Sequence, residues 1–197
     1  MILIRLNEDG YSFQDRFLRQ GFKFFERTRM LFVPWKFIAD WKCASCGSCC
    51  RDYSVVLNFQ EWLGIIRTYG MELTASDLTR LYLKRKNDGT CSFLCKLANK
   101  NFCGLQHMKP DACKLWPFKV LGAPKFGHAR QAAYNYVDRT FFVYVDSNCQ
   151  GLHFGNPTWE FANQTVKEFT EIALGFRSLQ VKSTAELSLN FRSRLYL

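Results

Sequence analysis

Four of the nine cysteines fall within eight residues, Cys43-Ala44-Ser45-Cys46-Gly47-Ser48-Cys49-Cys50, and five more follow at Cys91, Cys95, Cys103, Cys113 and Cys149. Free thiols crowded in this way oxidise and mispair unless something binds the sulfurs. The Cys-x-x-Cys-x-x-Cys spacing lets successive sulfurs turn inward around one centre, and Gly47 suits the positive φ such a loop often needs. The chemistry that follows is ligation of a thiophilic metal, either zinc or iron in an iron–sulfur cluster. Disulfides are an awkward alternative, because nine is an odd number and Cys49 and Cys50 are adjacent. Disulfide scaffolds also belong mostly to shorter, secreted chains with little core of their own.

The run departs from a bacterial ferredoxin motif in lacking the spaced fourth cysteine and the proline after it, so the spacing does not choose between metals. Cys91, Cys103, Cys113 and Cys149 supply the remaining ligands, which makes a set of eight with Cys43, Cys46, Cys49 and Cys50. Eight cysteines suffice for one or two four-ligand centres, and their division is not readable. His107, between Cys103 and Cys113, is the best non-cysteine candidate for a ligand or supporting donor. For it, as for His128 and His153, an ordinary surface or hydrogen-bonded role is the simpler reading, and Asp52, Asp111 and Asp146 read first as turn residues. A ligating thiolate is not a free nucleophile, so no Cys–His or Ser–His–Asp catalytic order is argued.

The segments Cys43–Cys50, Cys91-Ser92-Phe93-Leu94, Cys103-Gly104-Leu105-Gln106-His107-Met108-Lys109-Pro110-Asp111-Ala112-Cys113-Lys114-Leu115-Trp116-Pro117-Phe118 and Cys149-Gln150-Gly151 stand in a definite order. In that order they resemble the YkgJ-type CxxCxxCC cysteine cluster family, a group described as zinc- or iron-chelating domains. The resemblance spans roughly residues 43–151 and implies a metal site made by the eight cysteines; Cys95 lies outside its pattern and is expected to be an ordinary buried thiol. Gln106 replaces a preferred Tyr, and Lys109 and Lys114 replace Arg, which keeps the charge but loses the planar fork. A distant relative, the flagellin lysine methylase, resembles an iron–sulfur protein working with S-adenosylmethionine. By that analogy alone, an S-adenosylmethionine-dependent lysine N-methylase-like enzyme is an alternative function. No Gly-rich strand-to-helix loop with an acidic ribose partner accompanies it.

At 197 residues, with 48% hydrophobic and 22% charged residues, the chain is large enough for a core of its own before any metal is added. No segment reaches the roughly 18 uninterrupted apolar residues of a membrane span. Met1–Gly10 has neither the apolar core nor the cleavage site of a signal peptide, so the expectation is a cytoplasmic, reducing location. The net charge is +10, of which +6 lies in residues 43–153. Some of that excess neutralises thiolate charge; a polyanion such as RNA is the alternative partner. The densest basic run, Arg80 with Lys84-Arg85-Lys86, precedes the Asn87-Asp88-Gly89 turn and reads as a solvated helix end before it reads as an RNA patch.

The elements that position these residues are short. Met1–Leu6 reads as a strand, and Phe13–Phe32 as an amphipathic, Phe-rich helix closed by Pro34. Tyr53–Leu57 reads as a strand; Asn58 with Glu61 caps a helix running through Trp62, Ile65 and Ile66 to Gly70. Thr74 with Asp77 marks a second helix carrying Leu78, Leu81 and Leu83. Ala133–Val137 and Phe141–Val145 form an antiparallel hairpin across Asp138-Arg139-Thr140. A last helix opens near Pro157 and Thr158, packs Trp159, Ala162, Val166, Phe169 and Ala173, and stops at Gly175. The expected fold is α+β: a small metal-centred domain of short helices and a small antiparallel sheet over 43–151. Flanking it are an N-terminal docking segment, 1–42, and a C-terminal helix with a basic aromatic tail, 152–197. The expected function is a metal-binding component, structural or cluster-carrying, of a larger protein assembly docked through those aromatic flanks. An RNA- or ribonucleoprotein-associated basic protein is a further alternative.

Overall fold

The computed structural model describes residues 3–5, 31–97 and 99–182. In chain order the strands are β1 (Leu3–Arg5), β2 (Phe32–Pro34), β3 (Ile38–Trp41), β4 (Tyr53–Leu57), β5 (Thr74–Ser76) and β6 (Leu81–Leu83). They continue as β7 (Leu94–Leu97), β8 (Lys100–Cys103), β9 (Phe118–Leu121), β10 (Ala133–Tyr136), β11 (Arg139–Asp146) and β12 (Leu152–Phe154). The helices are α1 (Ser48–Arg51), α2 (Phe59–Tyr69), α3 (Asp111–Leu115), α4 (Ala129–Ala132) and α5 (Val166–Ala173), the last preceded by a π-helical stretch over Phe161–Thr165. The fold is α+β, with every described strand pair antiparallel.

Local signals explain most of these elements. In β4, Tyr53, Val55 and Leu57 are buried and alternate with more exposed residues, the period-2 pattern of a strand with one covered face. Asn58 and Glu61 form a reciprocal capping box at the start of α2: the Asn58 side chain accepts from the Glu61 N–H at 2.9 Å, and the Glu61 carboxylate accepts from the Asn58 N–H at 2.8 Å. The expected hairpin forms from β10 and β11, with its turn at Val137 (φ 53°) and Asp138, so Arg139 and Thr140 belong to β11. Strand β11 also pairs with β9 and β2, which draws Phe32–Pro34 into the same sheet.

Two expected elements are corrected. The segment from Thr74 to Leu83 is the β5–β6 hairpin rather than a helix. The Asp77 carboxylate accepts from the Thr79 and Arg80 N–H groups, both at 2.8 Å, which makes a tight turn out of what resembled a helix cap. Nor do Lys84-Arg85-Lys86 end a helix: Arg85 donates to the carbonyls of Tyr53 (2.7 Å) and Arg51, and Lys86 donates to that of Leu94 at 2.8 Å. These side chains brace backbone. The expected Phe13–Phe32 helix lies outside the described residues, except for Leu31 and for Phe32, which opens β2. The last helix has its expected span, with Gly175 at φ 76° after it, but Trp159 is 72% exposed rather than packed in the core.

Two apolar clusters result. One gathers Trp41, Phe118, Val143, Phe161, Val166 and Phe169 between the β11 sheet and α5. There the Phe118 and Phe169 rings stack with centroids 4.0 Å apart, and Trp41 meets both edge-on. The other gathers Val55, Leu57, Ile65, Leu83, Phe93 and Leu105 around β4 and α2. Among the described residues no helix is long and apolar enough to cross a membrane.

Candidate metal centre

The loop that leaves β3 enters α1 through Gly47, whose φ of 75° lies in the left-handed region. A Cβ at Gly47 would also press on the Asn101 side chain at 3.0 Å. Asn101 explains that closeness. Its side-chain amide donates to the carbonyls of Ser45 (3.3 Å) and Cys46 (3.0 Å), and its backbone N–H donates to Ser45 at 3.0 Å. Three hydrogen bonds from β8 thus fix the loop that carries Cys43 and Cys46. Nothing in the polar run around Asn101 marks this role in the sequence.

The remaining cysteines are brought in by backbone. The Cys91 N–H donates to the Cys50 carbonyl at 2.8 Å, and Arg85 forms an isolated β-bridge with Cys91. Cys103 ends β8 and Cys113 sits in α3. Cys149 is held from two sides: its N–H donates to the Asp146 carbonyl at 3.1 Å, and its sulfur accepts from Trp41 Nε1 at 3.3 Å. Gly151, two residues on, accepts from the Lys42 N–H at 3.0 Å. A Cβ on Gly151 would collide with the Lys42 carbonyl, which is why glycine stands there.

Seven of the eight expected cysteines, Cys43, Cys46, Cys49, Cys50, Cys103, Cys113 and Cys149, line one cavity together with Trp41, Lys109 and Trp116. The eighth, Cys91, is buried just behind, in the same apolar cluster that Cys50, Cys103 and Cys113 pack against. Cys43 and Cys149 pack against the other cluster. Cys49 and Cys50 lie where the two groups meet, with their sulfurs 3.9 Å apart. Among the described residues, no three Cys, His, Asp or Glu groups are already drawn together tightly enough to hold one bare ion.

Cys95 is exposed on β7, not buried as expected, and lies outside the cavity wall. His107 is exposed too, its Nε2 3.4 Å from the Tyr69 hydroxyl. His128 and His153 are exposed, the former edge-on to Phe37. Asp52 and Asp111 are partly or fully open to solvent, whereas Asp146 is fully buried and accepts from the Tyr53 hydroxyl at 2.6 Å. The sequence reading of Asp146 as a turn residue captures its bonds to Asn148 but misses that long-range contact.

Electrostatics fit a cationic occupant. Burial pushes the thiols of Cys43, Cys91 and Cys103 up, and that of Cys113 well up. It drives Cys149 to about 11, against the opposing pull of the Gly151 and Trp41 N–H groups. Cys49 is drawn down to about 7 by the hydrogen bond from Cys50, with the Lys109 charge helping. Cys50, which gives that bond, moves up. Neighbouring thiolates raise one another, so the full set ionises only when positive charge arrives among them. Soft sulfur donors in a largely apolar, aromatic-walled cavity suit zinc or iron. Among the described residues, the buried side-chain nitrogen without a partner is Nε of Arg85, the residue bridged to Cys91.

Neither curated proteins nor solved structures include a match to this chain. A family model does match, over residues 42–150, and its description reads "CxxCxxCC: Putative zinc- or iron-chelating domain". That stretch covers more than half of the chain and contains the whole cysteine set, so the protein belongs to the CxxCxxCC family of zinc- or iron-chelating domains.

Proposed function

We propose that the protein is a metal-binding component of a larger assembly, in which the eight cysteines hold iron–sulfur or zinc centres as thiolates. The observation that carries this reading is the gathering of seven cysteines, drawn from residues 43 to 149, on one cavity wall, with the eighth in the apolar cluster that three of them pack against. A fold without ligands to bind has no reason to collect so many oxidisable groups in one place.

The packing supports a division into two four-thiolate centres. Cys50, Cys91, Cys103 and Cys113 share one apolar cluster, while Cys43 and Cys149 share the other. Cys46, in the loop between Cys43 and α1, and Cys49 complete the second group. Each four-thiolate zinc or [4Fe–4S] centre carries a net charge of about −2, which the basic balance of residues 43–153 offsets.

Participation in an assembly is supported by apolar surface near the C-terminal end. Trp159, Phe176 and Leu179 are 72%, 73% and 77% exposed. Exposed large apolar side chains such as these are available to a contact surface.

Metal, acid-labile sulfide and visible absorption measured on protein purified without oxygen test the reading. Iron with matching sulfide identifies clusters and makes the chain a cluster carrier. Stoichiometric zinc in colourless protein identifies a structural staple. Protein free of both metals, from cells supplied with both, would sink the proposal.

A further inference from the structure

Lys109 is, among the described residues, the one basic side chain on the wall of the thiol cavity. It shares that wall with Cys43, Cys49, Cys103 and Cys113. A flexible lysine stem does not stay in one place without a partner. One partner comes from far along the chain: Lys109 Nζ donates to Gln180 Oε1 at 3.3 Å. Gln180 is fixed at its other end, with Nε2 donating to the Lys114 carbonyl of α3.

The segment that carries Gln180 is itself tied down. After Gly175 the chain turns back along α5, where the buried Glu168 accepts the N–H groups of Val181 and Lys182 through Oε1 (2.5 and 3.0 Å). Its other oxygen lies 3.4 Å from Arg177, which also reaches Glu171 at 3.5 Å. Lys182 closes the far end on Glu160 at 2.7 Å. Leu179 and Val181 stand exposed on either side of the half-buried Gln180, so the glutamine faces the body of the protein.

We propose that residues 176–182 form a strap which, through Gln180, pins the Lys109 ammonium beside the thiolates, so that the field at the metal centre depends on the docking of the C-terminal segment. The inference rests on the metal-binding reading for its purpose, but the strap holds Lys109 on the cavity wall with or without metal. Lys109 is a positioning residue for charge. Gln180 positions Lys109, and Glu168 anchors the strap.

Two measurements on the full chain test this. In the reduced, metal-free protein, the cysteines react with an anionic aromatic disulfide and with a neutral dipyridyl disulfide. A nearby ammonium speeds the anionic reagent selectively, whereas a general loosening speeds both alike. Lys109→Met and Gln180→Ala are expected to lower the anionic-to-neutral rate ratio severalfold, and Lys109→Arg to keep it. In protein that has retained its metal, timed exposure to EDTA is expected to show loss about tenfold faster in Lys109→Met and Gln180→Ala, the size usual for supporting partners of a metal site. An unchanged rate ratio in Gln180→Ala overturns the strap, whatever Lys109→Met does. A wild-type chain that binds no metal would defeat the functional reading instead, and the rate ratio would still decide the strap. Both sites are only half-buried, so these variants are expected to fold.

Discussion

The Tyr53 hydroxyl donates a 2.6 Å hydrogen bond to Oδ2 of Asp146, a carboxylate with no exposed surface. Tyr53 lies on β4, beside one apolar cluster, and Asp146 ends β11, beside the other. The Asp146 N–H and carbonyl are also used, by Pro117 and by Cys149. One buried carboxylate therefore joins the two halves that hold the thiols. Tyr53→Phe keeps the ring and removes the donor, and is expected to cost about 1.5–3 kcal/mol, the range for a hydrogen bond to a charged group. Urea unfolding of wild type and variant measures this; equal midpoints would count against the link.

Serine at Cys46 removes a sulfur from the cavity wall, whereas serine at Cys95 changes an exposed residue of β7. With two centres, Cys46→Ser is expected to lose about half the bound metal, and Cys95→Ser none. Cys113→Ser should lose the other half. Metal analysis on the purified variants reads this directly, and wild-type content in Cys46→Ser would remove that cysteine from the ligand set.

Gly151→Ala places a Cβ against the Lys42 carbonyl. The strain falls on the contact that aligns Trp41 with the Cys149 sulfur. A loss of about 1–3 kcal/mol is expected, as for other overpacked sites, accompanied by lower metal content. Thermal unfolding together with metal analysis separates a local defect from global unfolding: metal loss at an unchanged melting temperature would show that the loop alone had moved.

The β5–β6 turn carries an acid-sensitive group. Hydrogen bonds from the Tyr82 hydroxyl (2.6 Å) and from Thr79 and Arg80 hold the Asp77 carboxyl down at about 2. Its unfolded value is the ordinary carboxylate one near 3.9. The folded value is the lower of the two, so the contribution is complete above about pH 4 and fades as pH falls toward 2. Asp77→Asn is expected to be less stable than wild type at pH 6, with the gap closing on acidification. A gap that widens toward pH 2 would contradict the assignment.

Signals carried by neighbouring residues were legible in the sequence, and those that depend on distant partners were not. Tyr53–Leu57 and the Asn58–Glu61 box declare themselves because alternation and capping are local. Thr74 with Asp77 looked like a helix start for the same reason. Its spacing suits a cap, but the Asp77 side chain satisfies N–H groups two and three residues ahead and so builds a turn. Seven of the eight cysteines singled out in the sequence line one cavity, while the roles of Asn101 and Trp41 and the packing of six of the eight against two apolar clusters had no local signal. Those depend on which loops the antiparallel pairings bring together. Cys95 shows the converse, since its place on an exposed face of β7 has no local mark.

The hydrogen bond from Trp41 to Cys149 spans 108 positions of chain. A ribosome adding about 5–20 residues per second takes roughly 5–20 s to cover that distance. Through that interval the nascent chain presents Cys43 to Cys50 without Cys149. On the grouping proposed above, the set that includes Cys43 and Cys149 cannot close until Cys149 has been made. For that proposed set, topology alone makes metal insertion a late event in the life of each molecule.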